Sequence, residues 1–333
     1  MRFVFTEDQR LYRGAAREYL QKECTPDRVR EAAAGGATLD RELWRGLGGV
    51  GMLGTLVPED AGGLGLDEVS AMLLCEEAGR VAFPGPLLET TLVAPAVLAG
   101  SPFGEEWLRR IATGDAVVAV ALSSDRFVAH AGGADLIVQV DLDATRAQLA
   151  GAAEVVAVES VDPGRPLYEV RSRYDLEVQS PSAGQAPLHA AALRGALGAA
   201  AMLVGLGERV IELAAAHART REQFGVAIGS FQGVKHLLAD ALVAVSFARP
   251  AVERAAWSVA TDQPDVHTHV AMAKARAGRA AEQAAKAALQ VHGAIGYTWE
   301  SDLHLWMKRI WALTAAWGTT DQHRDVVADA LGL

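Results

Sequence analysis

Two long apolar helical patterns joined by a short turn constrain this chain more than any other feature. Leu193, Leu197, Val204 and Ile211 step by four and seven, so they fall on one helical face; Val234, Leu238, Ala241 and Val245 repeat the helical spacing beyond the join. The join lies in HARTREQFGVAIGSFQGVKHLLADA, residues 217–241. Gly225 and Gly229 permit a tight backbone there, and Ser230 stands where the second helix would be N-capped. Arg219 and Arg221 close the first helix. A lone arginine in that place complements the negative end of the helix dipole.

Composition bounds the rest. At 333 residues the chain exceeds what one hydrophobic core usually supports, so two or three domains are expected. Half of it is hydrophobic, and alanine and leucine outnumber aromatic and β-branched residues in most segments, so the fold should be mainly α. A formal net charge of -10 argues against nucleic acid and anionic membrane surfaces as partners, while a few local arginines still suffice for a phosphate-bearing ligand. Cys24 and Cys75 are too few and too far apart in sequence for a disulfide scaffold or a zinc site, and a reducing cytoplasm is the simplest setting. The opening MRFVFTEDQRLYRG lacks the apolar core of a signal peptide, and the longest uncharged helical stretch, residues 195–207, is too short to span a bilayer. A soluble protein is expected.

The patterning divides the chain into a helical domain over 1–114, a reduced β domain over 115–185 and a four- or five-helix bundle over 186–333. In the first, Thr6 caps a helix whose first turn carries Glu7 and Asp8 and which runs through Leu20 to end near Pro26. Gly35 and Gly36 break the chain before a second helix with Leu43, Trp44 and Leu47. The string VPEDAGGLGL over 57–66 must be a loop, and the following helix carries Glu76 and Glu77, which read as solvated surface charges. The middle region changes period to short apolar runs at 117–122, 136–140, 155–158 and 168–170, divided by Gly, Asp and Pro, as in a small sheet or partial barrel. In the last, Pro250 should kink or restart its helix, and residues 262–265 should turn the chain. An alanine-rich helix from Val266 to about Leu289 then offers the small side chains that suit close helix packing. It ends at QVHGAIGYTWE, residues 290–300, where a lone His292 reads as a helix-end or packing residue.

Arg221-x-x-Phe224-Gly225 followed by Phe231-Gln232, with Gln290-Val291-His292-Gly293 downstream and VPEDAGGLGL upstream, resembles the acyl-CoA dehydrogenase family. The likeness covers nearly the full length and is weakest across 115–185. It implies an acyl-CoA dehydrogenase-like fold and FAD as cofactor. It further implies that the guanidinium of Arg221 forks onto the flavin pyrophosphate, that Phe224 packs on the ligand and that Gln232 hydrogen-bonds to it. Gln290 and Gly293 would let the backbone approach the ADP half. In the family these contacts cross a dimer interface and serve a neighbouring subunit's flavin. Thr319 and Gln322 join the cofactor-binding set by the same likeness. Ala294 replaces a glycine often found there, which is tolerable only at negative φ.

The chain also departs from the family. After Val120-Ala121-Leu122 it reads SSDRFVAHAGG, so a Thr-Glu-Pro to Gly-Ser-Asp loop and a hairpin are missing, and Ala129-His130 takes the place of a flavin-facing pair. Such a pocket should hold an isoalloxazine ring poorly. The family's reaction needs a carboxylate to take the α-proton of a thioester while the β-hydride goes to flavin, so a Glu must face the ring across the substrate. Its two usual locations fall here on Trp317 and near Gly195, where neither Leu193, Arg194 nor Ala196 offers a carboxylate. Indole takes no proton at neutral pH. No catalytic residue is therefore assigned.

The expectation is a shortened subunit of a heteromeric acyl-CoA dehydrogenase, similar to the α2β2 enzymes of actinobacterial steroid side-chain degradation. Its partner would be a homologous full-length acyl-CoA dehydrogenase subunit, its substrate an acyl-CoA met at the level of the complex, and its electron acceptor an electron-transfer flavoprotein. Two alternatives stay open. One is a self-sufficient homomeric dehydrogenase with Glu300 or Asp321 as base; the other is a scaffold that kept the fold and lost the reaction.

Overall fold

A capping box starts the chain: Thr6 Oγ1 accepts from the Gln9 N–H at 3.2 Å, and Gln9 Oε1 accepts from the Thr6 N–H at 3.0 Å. It opens α1 (Glu7–Glu23). The computed structural model describes residues 4–34, 39–100, 102–141, 145–171, 176–179 and 186–333, so the expected break at Gly35 and Gly36 lies outside the described residues. Pro26, which reads as a helix end in the sequence, also begins α2 (Pro26–Ala34), because the first helical position has no N–H to lose. Then come α3 (Arg41–Gly49), α4 (Glu68–Arg80), a π-helical turn over Glu89–Val93 that continues into α5 (Ala94–Leu98), and α6 (Pro102–Thr113).

Glu76 and Glu77 correct the sequence reading. They are 2% and 1% exposed, because α4 is covered by α1 on one side and by the C-terminal helices on the other. Arg17 holds Glu77 with two bonds of 2.9 and 2.7 Å, Arg13 reaches both carboxylates, and Arg249 pairs with Glu76 from the far side at 3.1 Å. Buried carboxylates persist only with such partners. A charge pattern that looks like a wet helix face is here an internal ionic joint.

The middle region forms two small sheets from β1 (Val118–Leu122), β2 (Val128–Ala129), β3 (Leu136–Val140), β4 (Thr145–Leu149), β5 (Val155–Val158), β6 (Leu167–Val170) and β7 (Leu176–Gln179). Their orders are β1-β3-β4-β7 and β2-β6-β5, with β1 and β3 parallel and the other pairs antiparallel. The apolar runs correspond to β1, β3, β5 and β6. β2, β4 and β7 are not among the expected strands: β2 has only two residues, and β4 and β7 alternate apolar with polar residues instead of forming an apolar run. Thr90 docks the π-helical turn on β1, donating to the Val118 carbonyl at 2.9 Å and accepting from its N–H at 3.2 Å.

The C-terminal region holds α7 (Ala186–Thr220), the hairpin β8 (Glu222–Gln223) and β9 (Val226–Ala227), α8 (Gln232–Ala260), α9 (Val266–His292), α10 (Leu303–Ala315) and α11 (Thr320–Leu331). α7 is the axis, packed on α4, α8, α9 and α10. It crosses α4 at paired glycines: a Cβ on Gly79 would overlap the Met202 backbone, and one on Gly205 the Glu76 backbone. By length and composition α7 could span a membrane, contrary to the limit drawn from residues 195–207. Its most apolar window has mean hydropathy 1.5 and is 78% buried in the protein, so this apolarity is used as core.

Two further expectations fail locally. α8 runs unbroken through Pro250, whose lost hydrogen bond is offset by the buried contacts of Val245, Ala248 and Val252 on either side. Ser230 does not cap α8; it ends a 3-10 turn over Ile228–Ser230, and the cap residue is Phe231, with no side-chain bond. The turn is one residue longer than the spacing implies.

Candidate functional site

The hairpin after α7 has Phe224-Gly225 at its tip, both left-handed, with φ of +55° and +79°. For a non-glycine residue that conformation costs on the order of 1 kcal/mol. It turns the Phe224 ring outward, 93% exposed, with Phe231 edge-on at 6.2 Å between centroids. Arg221 is fixed by its backbone: its N–H donates to the His217 carbonyl at 2.9 Å, and its own carbonyl accepts from Ile228 at 2.8 Å. Its guanidinium is exposed and makes no hydrogen bond or ion pair among the described residues. Gln232 is the exposed first residue of α8.

α9 ends beside this hairpin. His217 in the last turn of α7 and His292 at the end of α9 stack with ring centroids 4.5 Å apart and 15° between planes. Gln290 is exposed, and Gly293 turns the chain at φ +62° with open space where a Cβ would stand. Ala294 has no positive φ, so alanine fits there without strain. Arg221, Phe224, Gln232, Gln290 and Gly293 thus share one edge of the bundle. An unengaged guanidinium on a fixed backbone, two amides with no partner among the described residues and a clear glycine fit the diphosphate half of a dinucleotide.

Thr319 and Gln322 stand elsewhere. They form the capping box of α11, with Thr319 Oγ1 accepting from Gln322 N–H at 3.3 Å and Gln322 Oε1 accepting from Thr319 N–H at 2.8 Å. The start of α11 meets α9 at Gly278, where Thr320 is the nearest neighbour. Gly278 and Gln290 are roughly 18 Å apart along the helix axis at 1.5 Å per residue. The structure therefore splits the predicted cofactor set into an outer edge and this inner pair.

Gln322 of this pair borders a cleft of about 350 Å³ between the small sheets and the α10–α11 turn, where it lines the wall with Trp317, Arg126, Arg165 and Asp125. Trp317 is half-buried at φ +57°, and its indole lies directly on Gly195, where any Cβ would overlap the ring. The two places at which the family likeness puts a base therefore meet in space, and they hold an indole and a glycine. The turn is clamped through its carbonyls: Lys274 Nζ donates to Thr314 at 3.0 Å and to Gly318 at 2.9 Å, and His323 Nε2 donates to Trp317 at 2.9 Å.

Buried charges around the cleft engage one another. Arg165 pairs with Glu89 on the π-helical turn at 2.8 Å, and Arg309 holds Asp162 and the Phe83 carbonyl. Lys274 is 1% exposed, and burial, reinforced by Arg165, brings its amine down to about 7. His130, left-handed at φ +61°, is kept neutral by burial and by Arg165 and Arg309, which push its pKa well below the usual imidazole value. Asp125 is the carboxylate lining the cleft; it is exposed, and its Oδ2 accepts from the Leu122 N–H at 3.0 Å. Glu300 is exposed, Asp321 sits on the outer first turn of α11 at 3.6 Å from Arg324, and neither lines the cleft.

Lys274, Glu89 and Arg165 are functional-region residues that the sequence reading passes over. The signal was a lone charge in apolar company. Lys274 has Val270, Ala271, Ala277 and Gly278 around it on its helical face, and Glu89 is the one charged residue between Arg80 and Glu105.

Residues 6–115 match the acyl-CoA dehydrogenase N-terminal domain and residues 189–332 the acyl-CoA dehydrogenase C-terminal domain. The chain is 35% identical over 306 residues, 91% of each protein, to the acyl-CoA dehydrogenase IpdE2 of Mycobacterium tuberculosis. It superposes with TM-score 0.87 at 25% identity on a chain of the ChsE4-ChsE5 complex from Mycobacterium tuberculosis, covering 100% of this chain and 99% of that one. The butyryl-CoA dehydrogenase of Megasphaera elsdenii superposes with TM-score 0.86 at 22% identity, each chain covered in full at 100%. With both terminal domains matched and a relative of this identity aligned almost end to end, the chain is a member of the acyl-CoA dehydrogenase family, whose cofactor is FAD.

Proposed function

We propose that this chain is a shortened subunit of a heteromeric FAD-dependent acyl-CoA dehydrogenase, lending its outer edge to a flavin seated mainly in a homologous full-length subunit. The observation that carries the reading is the Trp317 ring on Gly195, which fills the place where a carboxylate would work. FAD, when bound, would supply the acceptor for the β-hydride of an acyl-CoA thioester whose α-proton goes to a base. In this reading the base belongs to the partner, and the residues of this chain bind and orient. Arg221 pairs with the diphosphate, Gln232 and Gln290 hydrogen-bond to it, Phe224 covers the ligand, and Gly293 gives the backbone room. Thr319 and Gln322 belong to the set by the family resemblance, from their capping box at the start of α11.

The ChsE4-ChsE5 relative, a complex of two differently named chains, supports the heteromeric assignment. The resemblance to two-gene dehydrogenases supports a steroid side-chain CoA thioester as substrate and an electron-transfer flavoprotein as acceptor. Two free, buried cysteines accord with a cytoplasmic setting. The working domain division is 1–114, 115–185 and 186–333. The test is Arg221→Ala in the chain assembled with a candidate full-length subunit. A charged hydrogen bond of about 1.5–3 kcal/mol is lost, so FAD affinity should fall roughly tenfold to a hundredfold without unfolding. Unchanged flavin occupancy would make the motif a structural relic and sink the proposal.

A further inference from the structure

His217 and His292 link the two turns that make up the outer edge. Their face-to-face approach at 4.5 Å is one that neutral imidazoles accept and that two imidazolium ions resist. Both rings are half-buried, each in the last turn of its helix. His292 Nδ1 lies 2.7 Å from the Ala288 carbonyl, which can only accept, so that nitrogen carries the proton and the ring is locked in orientation. On the other side, the His217 carbonyl accepts from the Arg221 N–H at 2.9 Å and from the Thr220 hydroxyl at 3.2 Å. A displacement of His217 is therefore a displacement of Arg221. Directly after His292 comes Gly293, whose N–H is bonded to the Leu289 carbonyl.

The charged groups acting on His217 are His292 from α9 and Arg221 from the hairpin, both cationic when charged, and among the described residues no carboxylate contributes against them. Burial is the largest influence and works in the same direction, so His217 is harder to protonate than a free histidine. A first proton on the pair leaves a cation stacked on a neutral ring; a second sets two like charges face to face.

We propose that His217 and His292 are positioning residues, whose uncharged or singly charged stack holds the Arg221 turn against the Gln290–Gly293 turn, and whose double protonation in acid parts the rings and loosens the edge. The proposal rests on the assignment of this edge to the cofactor, but its test needs no flavin. The measurement is backbone hydrogen exchange of the full chain over residues 221–231 and 290–296, corrected for intrinsic rates, at about pH 7.5 and about pH 5. Protection in the wild type should fall about tenfold in acid. His217→Phe, an uncharged ring that still stacks, should keep its protection at both pH values, and His217→Lys should be loose at both.

Wild-type protection that does not change with pH, or an acid loss in His217→Phe equal to that of the wild type, overturns the proposal. Should the variants misfold, the imidazole resonances of the wild type decide. Two interdependent steps support the stack, and two independent single-site curves refute it. If exchange behaves as expected while Arg221→Ala keeps its flavin in the complex, the positioning claim stands and the cofactor assignment fails. If Arg221→Ala loses its flavin while exchange is independent of pH, the cofactor assignment stands and the positioning claim fails.

Discussion

Phe224 and Trp317 are both aromatic, both left-handed, with φ of +55° and +57°, and they have opposite destinations. Phe224 stands at the tip of a hairpin, 93% exposed, beside an arginine that pairs with nothing among the described residues. Trp317 lies down on Gly195 in a turn clamped by Lys274 and His323, beside arginines already matched to carboxylates. Backbone strain of this kind survives only where the surroundings enforce it. At the outer edge it presents a ring and leaves polar groups available; at the inner cleft it lays a ring on Gly195 as one wall of the space. In the proposed reading, the groups left for recognition lie on the outside, while the interior place of the family's chemistry is given over to packing.

If the inner region is structure, breaking it should cost stability and leave flavin binding per folded complex unchanged. The largest effect is expected for Asp162→Ala, which strands the buried Arg309; loss of one member of a buried pair costs about 3–5 kcal/mol, read by denaturant unfolding. Less than about 1 kcal/mol would mean that water reaches the Asp162–Arg309 pair and that the comparison is wrong.

Gly195→Ala should destabilise by about 1–3 kcal/mol, because its Cβ must displace the Trp317 ring. Trp317→Ala alone should cost about 1–3 kcal/mol, below the range for a fully buried tryptophan, since the ring is half-buried. The double variant should lose less than the two combined, as residues in contact couple by about 0.5–3 kcal/mol. Simple additivity would break the contact on which the contrast rests. Trp317→Glu should restore a carboxylate and still yield no activity from this chain.

The Lys274 amine titrates near 7 when folded and near 10.5 when free. Between those values the unfolded chain binds more protons than the folded one, so stability should rise with pH across the window, by at most about 1.4 kcal/mol per pH unit. Lys274→Met should flatten that slope in pH-dependent melting. An unchanged slope would show that the amine is already wet.

The smallest stability effect sharpens the other side. Arg221→Ala in the isolated chain should shift unfolding by no more than about 0.5 kcal/mol, as for a surface residue without partners. Arg221→Lys should keep only part of the flavin affinity, because an ammonium cannot fork onto a diphosphate.

The residues assigned to the outer edge could be picked out through the family resemblance because they are contiguous: Arg221, Phe224, Gly225 and Gln232 lie within one turn, and Gln290 with Gly293 in another. Helix caps such as Thr6 were equally local. What the sequence could not show depends on residues far apart. Glu76 and Glu77 look solvated until Arg13, Arg17 and Arg249 arrive from two other helices. Trp317 meets Gly195, and His217 meets His292, only after the bundle is assembled. β2 is a strand because β6 pairs with it, and its two residues are too few to carry a pattern of their own. Pro250 stays helical because tertiary packing outweighs one missing hydrogen bond.

The most direct measurement is flavin stoichiometry and enoyl-CoA formation for this chain purified alone and for the same chain assembled with a homologous full-length subunit. The single chain should be colourless and inactive, and the complex should be yellow, oxidise an acyl-CoA and lose flavin when Arg221 is replaced. A single chain that binds one FAD and dehydrogenates an acyl-CoA unaided would contradict it, and Trp317 would then line a working site.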